Sequence, residues 1–210
     1  AGATTLTIVG LPDDFAITVS DLLVTYNKAS GNDGSAGPVE AKPIDWSDVV
    51  GAGGPLEELS GDVSLSVSGA IAMNLGGYVL TAGQFGVHYS HQDALPLGDD
   101  GAVDVDLLTI DLINLDLFVG VGATLSGMNV VTTNAKGFST QGAHLSIGLP
   151  STSDEKDTRS WTGIAATASS LSAVGLPDDF TLEVSDLKVT FNTASGDDGS
   201  DNNPVDASAI

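Results

Sequence analysis

The sequence contains no cysteine, few aromatic residues and few cations. Without cysteine the chain forms no disulfide and offers neither a thiolate metal ligand nor a thiol nucleophile. Its six Lys and Arg residues cannot supply the clustered positive charge that nucleic acids and anionic membranes require. No apolar run of about 18 residues is present, so no membrane-spanning helix is expected. These absences argue against nucleic acid and membrane as partners.

Acidic side chains dominate what is present. The 210 residues include 28 Asp and Glu, which gives a formal net charge of −22. Such a charge favours solubility, mutual repulsion and divalent counter-ions, although an acidic bias of the whole proteome would explain it equally well. Val, Leu, Ala and Ile supply most of the 41% apolar residues, and 26 glycines accompany them. This composition suits closely packed β layers.

A long internal repeat organises the chain. Residues 1–35 return as residues 166–200, a shift of 165, with 23 of the 35 positions identical. After one inserted residue the match resumes, and Ile44 faces Ile210. We therefore expect residues 1–165 to form one repeat unit and residues 166–210 to begin the next. We also expect the natural polypeptide to continue in both directions, with residues like Asp45 and Trp46 after Ile210.

Apolar and polar residues alternate with a period of two, which predicts β-strands. The clearest alternation is at residues 22–26, 63–67, 103–107, 180–184 and 187–191. Glycine-rich acidic segments between these runs predict turns. Residues 150–159 form the most polar segment and are expected to be the most mobile. Only residues 56–59 could form a helical turn, so the sequence predicts an all-β protein.

A shorter marker, a strand ending in Ser followed by Asp or Gly, divides the long repeat. It occurs at Ser20, Ser68, Ser126 and Ser185, at intervals of 48, 58 and 59 residues. A second short strand follows each marker and ends at or near an Asn, namely Asn27, Asn74, Asn134 and Asn192. This spacing predicts a wide parallel β-solenoid with three coils of about 55 residues per 165-residue repeat. The asparagines would then either stack as an amide ladder or simply end strands. Tandem antiparallel β-sandwich domains are the alternative fold.

Acidic turns that contain glycine are the candidate metal sites. Calcium takes six to eight oxygen ligands, which carboxylates and turn carbonyls supply together. The spacing matches neither the EF-hand loop nor the glycine-rich nonapeptide of calcium β-rolls, so solvated turns remain the alternative. The residues predicted to bind calcium are Asp33, Asp99, Asp100, Asp197 and Asp198.

No pattern in the sequence predicts an enzyme. The paired carboxylates at residues 13–14 and 178–179 follow a proline and precede a strand, as ordinary turn residues do. His88 and His91 are three residues apart and would point to opposite faces of a strand, which disfavours a shared metal. Trp46 and Trp161 are expected to fill corners of the core, and exposed they would instead serve as contacts for a glycan or a neighbouring chain.

The chain resembles the long tandem-repeat surface proteins of bacteria, which are giant adhesin-like or filament-forming proteins. The resemblance lies in the cysteine-free acidic composition and in the repeated segments VGLPDDF, VSDL and ASG(N/D)DGS. It implies an extracellular structural role in a stiff anionic rod or fibre, with other copies or flanking repeats stacked end to end as partners. A module that recognises a glycan or another cell surface through its loops is the alternative function.

Overall fold

A computed structural model gives the fold of the chain. It describes residues 2–7, 15–37, 39, 41–50, 54, 56–57, 59–98, 101–154, 156–177, 179–180, 182–200 and 205–209. The described residues form ten strands and one short helix. In chain order these are β1 Gly2–Thr7, β2 Phe15–Tyr26, α1 Ser47–Val50, β3 Leu65–Leu75, β4 Val79–Pro96, β5 Ala102–Val121, β6 Thr124–Ser126, β7 Asn129–Val131, β8 Lys136–Thr152, β9 Ser160–Val174 and β10 Glu183–Ser195. The prediction of an all-β protein is confirmed.

Eight of the strands form one antiparallel sheet in the order β1-β2-β3-β4-β5-β8-β9-β10, and β6 and β7 form a separate two-stranded sheet. Each strand of the large sheet pairs with the strand of the same sheet that follows it in the chain. The prediction of a parallel solenoid is therefore wrong. A parallel pair needs a crossover of about a dozen residues or more. Here β3 turns into β4 through Gly76 and Gly77, whose φ angles of 66° and 74° suit a tight reversal.

The marker that suggested three coils has a different structural meaning. Ser20 and Ser68 lie on the neighbouring strands β2 and β3, whereas Ser126 ends β6 at a tight turn outside the large sheet. The intervals between the markers are therefore not coil lengths. The sandwich alternative had the right strand direction, but the eight main strands lie in one sheet and do not divide into two facing sheets.

The 165-residue repeat of the sequence is also a repeat of structure. In the β1–β2 hairpin Gly2 lies opposite Leu23 and Ala3 opposite Leu22. In the β9–β10 hairpin the positions 165 residues later, Thr167 with Lys188 and Ala168 with Leu187, are paired in the same way. The two hairpins occupy opposite edges of the large sheet. The border between the two repeat units, after residue 165, lies inside β9. It is therefore not a boundary between separately folded units.

Two small apolar clusters lie at opposite ends of the long strands. Leu80 and Phe118 are fully buried at one end, where residues of the β6–β7 hairpin pack against them. Leu97, Val105 and Trp161 form the other cluster. Between the clusters the strands form a single layer, so many of their apolar side chains are only half-buried. The short helix α1 begins after Asp45, whose carboxylate accepts the Ser47 N–H at 3.0 Å as an N-cap does. None of the helices among the described residues has the length and apolarity to span a bilayer.

Left-handed residues interrupt several strands near their middle. Asp21 in β2 and Asp186 in β10, which are 165 residues apart, have φ angles of 52° and 53°, and Asn114 in β5 has 53°. The register between β2 and β3 shifts between Ser20 and Leu23, which is a β-bulge around Asp21. Asp and Asn tolerate this conformation better than other residues that carry a Cβ. The left-handed Asp thus recurs in both copies, and a register shift accompanies it where β2 pairs with β3.

Replacing Asp21 or Asp186 by valine is expected to lower the free energy of unfolding by about 1–2 kcal/mol, because a β-branched residue is disfavoured at positive φ. Glycine at the same positions should cost no more than about 0.5 kcal/mol. Urea denaturation of each variant measures the difference. Thr18→Val, at an ordinary position of β2, is the control and should not destabilise. Equal effects of valine and glycine would contradict this account of the bulge.

Candidate functional site

The acidic turn after β2 is held by its own carboxylate. The Asp33 carboxylate accepts the backbone N–H groups of Ser35 and Val39, each at 3.1 Å. The Asp33 N–H donates to the Val39 carbonyl at 3.2 Å, and Ala41 N–H donates to Gly31 O at 2.8 Å. One side chain therefore closes the loop between residues 31 and 41.

The turn after β10 repeats this arrangement. The Asp198 carboxylate accepts the N–H groups of Ser200 at 3.1 Å and Val205 at 3.0 Å. Ala207 N–H donates to Gly196 O at 2.9 Å, as Ala41 does to Gly31. Asp197 accepts the Gly199 N–H at 2.9 Å. Both acidic turns are therefore folded by carboxylates that accept backbone N–H groups.

These contacts show where the structure places the predicted calcium ligands. Asp33 lies at one end of the sheet order, and Asp197 and Asp198 lie together at the other. Asp99 and Asp100 lie outside the described residues. Across the part of the chain that the structure describes, no three His, Cys, Asp or Glu side chains are grouped to hold a metal ion. Calcium binding at these turns stays a prediction.

Hydrogen bonds from the backbone lower the pKa of both turn carboxylates. The Ser35 and Val39 N–H groups stabilise ionised Asp33, and the Val205 and Ser200 N–H groups stabilise ionised Asp198. A carboxyl group whose pKa is lower in the folded chain stabilises the fold above its unfolded pKa of about 3.9. That contribution is lost as the pH falls through the folded-state pKa.

The free energy of unfolding is therefore expected to decrease as the pH falls below about 4. Asp33→Asn and Asp198→Asn remove the titrating groups, so each should make this decrease shallower. Urea denaturation of the parent chain and both variants between pH 7 and pH 3 measures the slope. An acid limb that neither substitution changes would contradict a structural role for the two carboxylates.

A buried ion pair holds the segment before β9. The Arg159 guanidinium donates to the Asp157 carboxylate through Nε at 3.0 Å and through a terminal nitrogen at 2.7 Å. Only 10% of the Arg159 side chain and 13% of the Asp157 side chain are exposed. The hydrogen bond from Arg159 lowers the pKa of Asp157. Arg159 also lies 5.9 Å from the centre of the Trp161 ring, as in a cation–π pair.

The sequence predicts that residues 150–159 form the most mobile polar segment, whereas Asp157 and Arg159 of this segment are held in a buried ion pair. Arg159 is the only arginine in the sequence, and an acidic and an aromatic residue lie two positions to either side of it. That spacing was the available signal for the cluster. Trp161 is 2% exposed, so its predicted burial is confirmed, and its indole N–H donates to Ser208 O at 2.9 Å.

Trp46 is half-buried and takes part in a second polar cluster. Its indole N–H donates to the Asn27 side chain at 3.2 Å. Asn27 in turn donates to the carbonyls of Ile44 at 2.8 Å and Ser60 at 2.9 Å, and it is 6% exposed. Asn27 thus fastens the segment between β2 and β3 to the end of the sheet. Of the marker asparagines, Asn27 follows the end of β2 and Asn74 lies near the end of β3, whereas Asn192 lies inside β10. The parallel stacking that an amide ladder requires is absent from the described strands, because the sheet is antiparallel.

The histidines do not converge. His91 lies between Asp106, at 3.1 Å from Nδ1, and Asp93, at 3.5 Å from Nε2. The Ser153 hydroxyl is 3.4 Å from the same Nδ1 atom. Sequence reasoning missed this exposed cluster, because its members are brought together by the pairing of strands. Lys42 forms a salt bridge with Asp93 at the periphery of this cluster.

The paired carboxylates of the VGLPDDF segment lie mostly outside the described residues. Of the four, only Asp179 is described, and it is exposed. An open groove of about 510 Å³ crosses β5, β8, β9 and β10, and Phe191 and Asn192 form its outer rim. No protein-family model, curated protein or solved structure matches the chain.

Proposed function

We propose that this chain is a repeat unit of an extracellular structural protein that forms or extends a stiff, anionic rod or fibre at the cell surface. One observation carries the proposal: the same hairpin, in the same register, lies at both edges of one antiparallel sheet. A unit whose two edges carry the same local structure can be lengthened by repetition without any change of fold. The partners are other copies or flanking repeats of the same chain, arranged end to end.

The dimensions and charge of the sheet suit a mechanical role. Its longest strand, β5, has 20 residues and pairs along its length with β4 and β8. At about 3.3 Å per residue such a strand is about 65 Å long, which makes the sheet wide and resistant to bending. The net charge of −22 keeps neighbouring rods solvated and apart.

Immunogold electron microscopy of intact cells, with antibodies against this chain, tests the proposal. We expect label outside the cell, at regular intervals along filaments, and loss of the label when the gene is deleted. Label confined to the cell interior, or on globular particles without filaments, would sink the proposal.

A binding module is the second candidate, and exposed aromatic residues favour it. Tyr26 and Phe191 are 165 residues apart and are 62% and 53% exposed. Aromatic faces repeated along a rod would contact sugar rings. Binding to a glycan array that is lost in the Tyr26→Ser/Phe191→Ser double variant would support this function. Trp161→Phe is the matched control, since Trp161 is buried and should leave such binding unchanged.

A further inference from the structure

The outer edge of β10 lacks the neighbour that its counterpart has. β10 pairs with β9, and in the described part of the chain no strand pairs with its other edge. β2, the same strand one repeat earlier, pairs with β1 on one edge and with β3 on the other. The surroundings of β2 therefore indicate what fits against β10.

The backbone of β10 already has the shape that β3 requires. Asp186 has a φ of 53°, the bulge conformation that Asp21 adopts where β2 meets β3. Gly69 of β3 lies against that bulge, and a Cβ there would be 2.9 Å from the Ser20 carbonyl oxygen. A strand with glycine at this position therefore fits the open edge of β10, whereas a bulkier residue would collide with the bulge.

Side chains along β10 are exposed where those of β2 are covered. Leu187 and Val189 are 43% and 54% exposed, while their counterparts Leu22 and Val24 are half-buried. Asn192 is exposed, and no described residue makes a hydrogen bond to its side chain. Its counterpart Asn27 is buried and is hydrogen-bonded to the Trp46 indole and to the carbonyls of Ile44 and Ser60. β10 thus carries exposed apolar side chains on one face and, on the other, an amide that has no hydrogen-bond partner among the described residues.

The opposite edge of the sheet lacks the complementary piece. A Cβ on Gly196 or Gly199 would lie 2.1 Å from a carbonyl oxygen of Thr158 or Lys156. At the counterparts, Gly31 and Gly34, no described atom would lie within 4 Å of such a Cβ. The turn after β2 therefore has an open side where the turn after β10 contacts the segment before β9. The edge at β10 thus lacks a strand like β3, and the turn after β2 lacks a contact like the one between the turn after β10 and the segment before β9.

We infer that the open edge of β10 is a docking site for the segment of another repeat unit that corresponds to residues 45–75. This segment supplies an indole donor for Asn192 and an uncharged strand, like β3, with glycine at the bulge. Successive units then share one uninterrupted antiparallel sheet with six strands per repeat. At a spacing of about 4.8 Å between strands, each repeat advances the sheet by about 29 Å.

The inference rests on the proposed function and is narrower than it. A rod made of separate folded units joined by linkers would fulfil the proposed function without any pairing at β10. The strand of the docked segment that pairs with β10 corresponds to β3, which has no charged residue, so no charge repulsion arises along the shared strand edge.

A chain extended by one repeat tests the inference. The full sequence is followed by a second copy of residues 45–165, placed directly after Ile210. Thr190→Cys is combined with Ser66→Cys in the appended copy, since the counterpart residues Thr25 and Ser66 are paired between β2 and β3. The sequence has no cysteine, so only this disulfide can form within one chain. We expect cross-linking comparable to that of Thr25→Cys/Ser66→Cys in the 210-residue chain.

Two further measurements accompany the cross-link. Thr190→Cys with Val67→Cys in the appended copy is the out-of-register control, and it should cross-link at least tenfold more slowly, because a shift of one residue moves the side chain to the other face. Asn192→Ala should raise the unfolded fraction of the extended chain at least tenfold more than that of the 210-residue chain. Slower hydrogen exchange of the β10 amides in the extended chain would also support the inference.

The outcomes separate the inference from the proposed function. A folded appended copy without the cross-link, within a particle that X-ray scattering shows to be elongated, overturns the shared sheet and leaves the structural role standing. An appended copy that stays unfolded overturns it as well, because β10 would then have failed to bind its strand. Dimerisation of the 210-residue chain through β10 would identify a second copy as the occupant and would also overturn it.

Discussion

Asp157→Ala is expected to lower the free energy of unfolding by about 3–5 kcal/mol, the range for removing one partner of a buried ion pair. The Arg159 side chain is nine-tenths buried, and it would lose its charge-assisted hydrogen bonds to the Asp157 carboxylate. The segment before β9 and the turn after β10 should loosen together, because Thr158 donates to the Asp197 carbonyl at 2.9 Å. Urea denaturation followed by tryptophan fluorescence measures the loss, and hydrogen exchange of the two segments measures the local change.

The chain contains a matched control for this prediction. Lys42 and Asp93 form the exposed counterpart, with 68% and 56% of their side chains accessible. Asp93→Ala should change the free energy of unfolding by no more than about 1 kcal/mol, as is usual for exposed pairs. Replacing both partners, as Asp157→Ala/Arg159→Met, should recover much of the loss, since no charge then remains buried. A double variant as unstable as Asp157→Ala would contradict the assignment of the loss to the buried charge of Arg159.

The class of fold could be predicted from the sequence, but the direction of the strands could not. A period of two places side chains on alternate faces in parallel and antiparallel sheets alike. The connection lengths decide between them: only three residues separate Leu75 from Val79, which is too short for a parallel crossover. The spacing of the recurring Ser-Asp and Ser-Gly pairs predicts solenoid coils, but the pairs have another role. In the large sheet they mark a left-handed bulge, as at Asp21, or a close backbone approach, as at Gly69.

Of the polar clusters, only the two acidic turns could be predicted from the sequence, because their residues recur 165 positions apart. Asp33 and Asp198 were identified from the recurrence of their turns, although the contacts of their carboxylates with the backbone could not be read from the residue types. The histidine cluster depends on which strands are neighbours in the sheet, and the sequence alone does not show which strands pair. The burial of the ion pair depends on the same pairing. The repeat itself was visible at once, and it provides the comparison between the two edges of the sheet.

Asn27→Ala is expected to lower the free energy of unfolding by about 3 kcal/mol, because it leaves the carbonyls of Ile44 and Ser60 and the indole N–H of Trp46 without their partner. Asn192→Ala changes the same amide at the equivalent position 165 residues later, where the side chain is exposed. Its effect should stay within about 0.5 kcal/mol, as for most surface substitutions. The two variants thus compare a covered and an open edge of the same sheet.

Urea denaturation of the two variants and the parent chain measures this difference, and hydrogen exchange locates it. In Asn27→Ala the amides of residues 44–60 should exchange faster, because the side chain that fastens this segment to the sheet is gone. Trp46→Phe removes only the indole donor and should cost about 1 kcal/mol. Equal losses in Asn27→Ala and Asn192→Ala would show that the two edges are already equivalent in the isolated chain. The open amide at β10 would then have a partner, and the edge would not be free for another repeat.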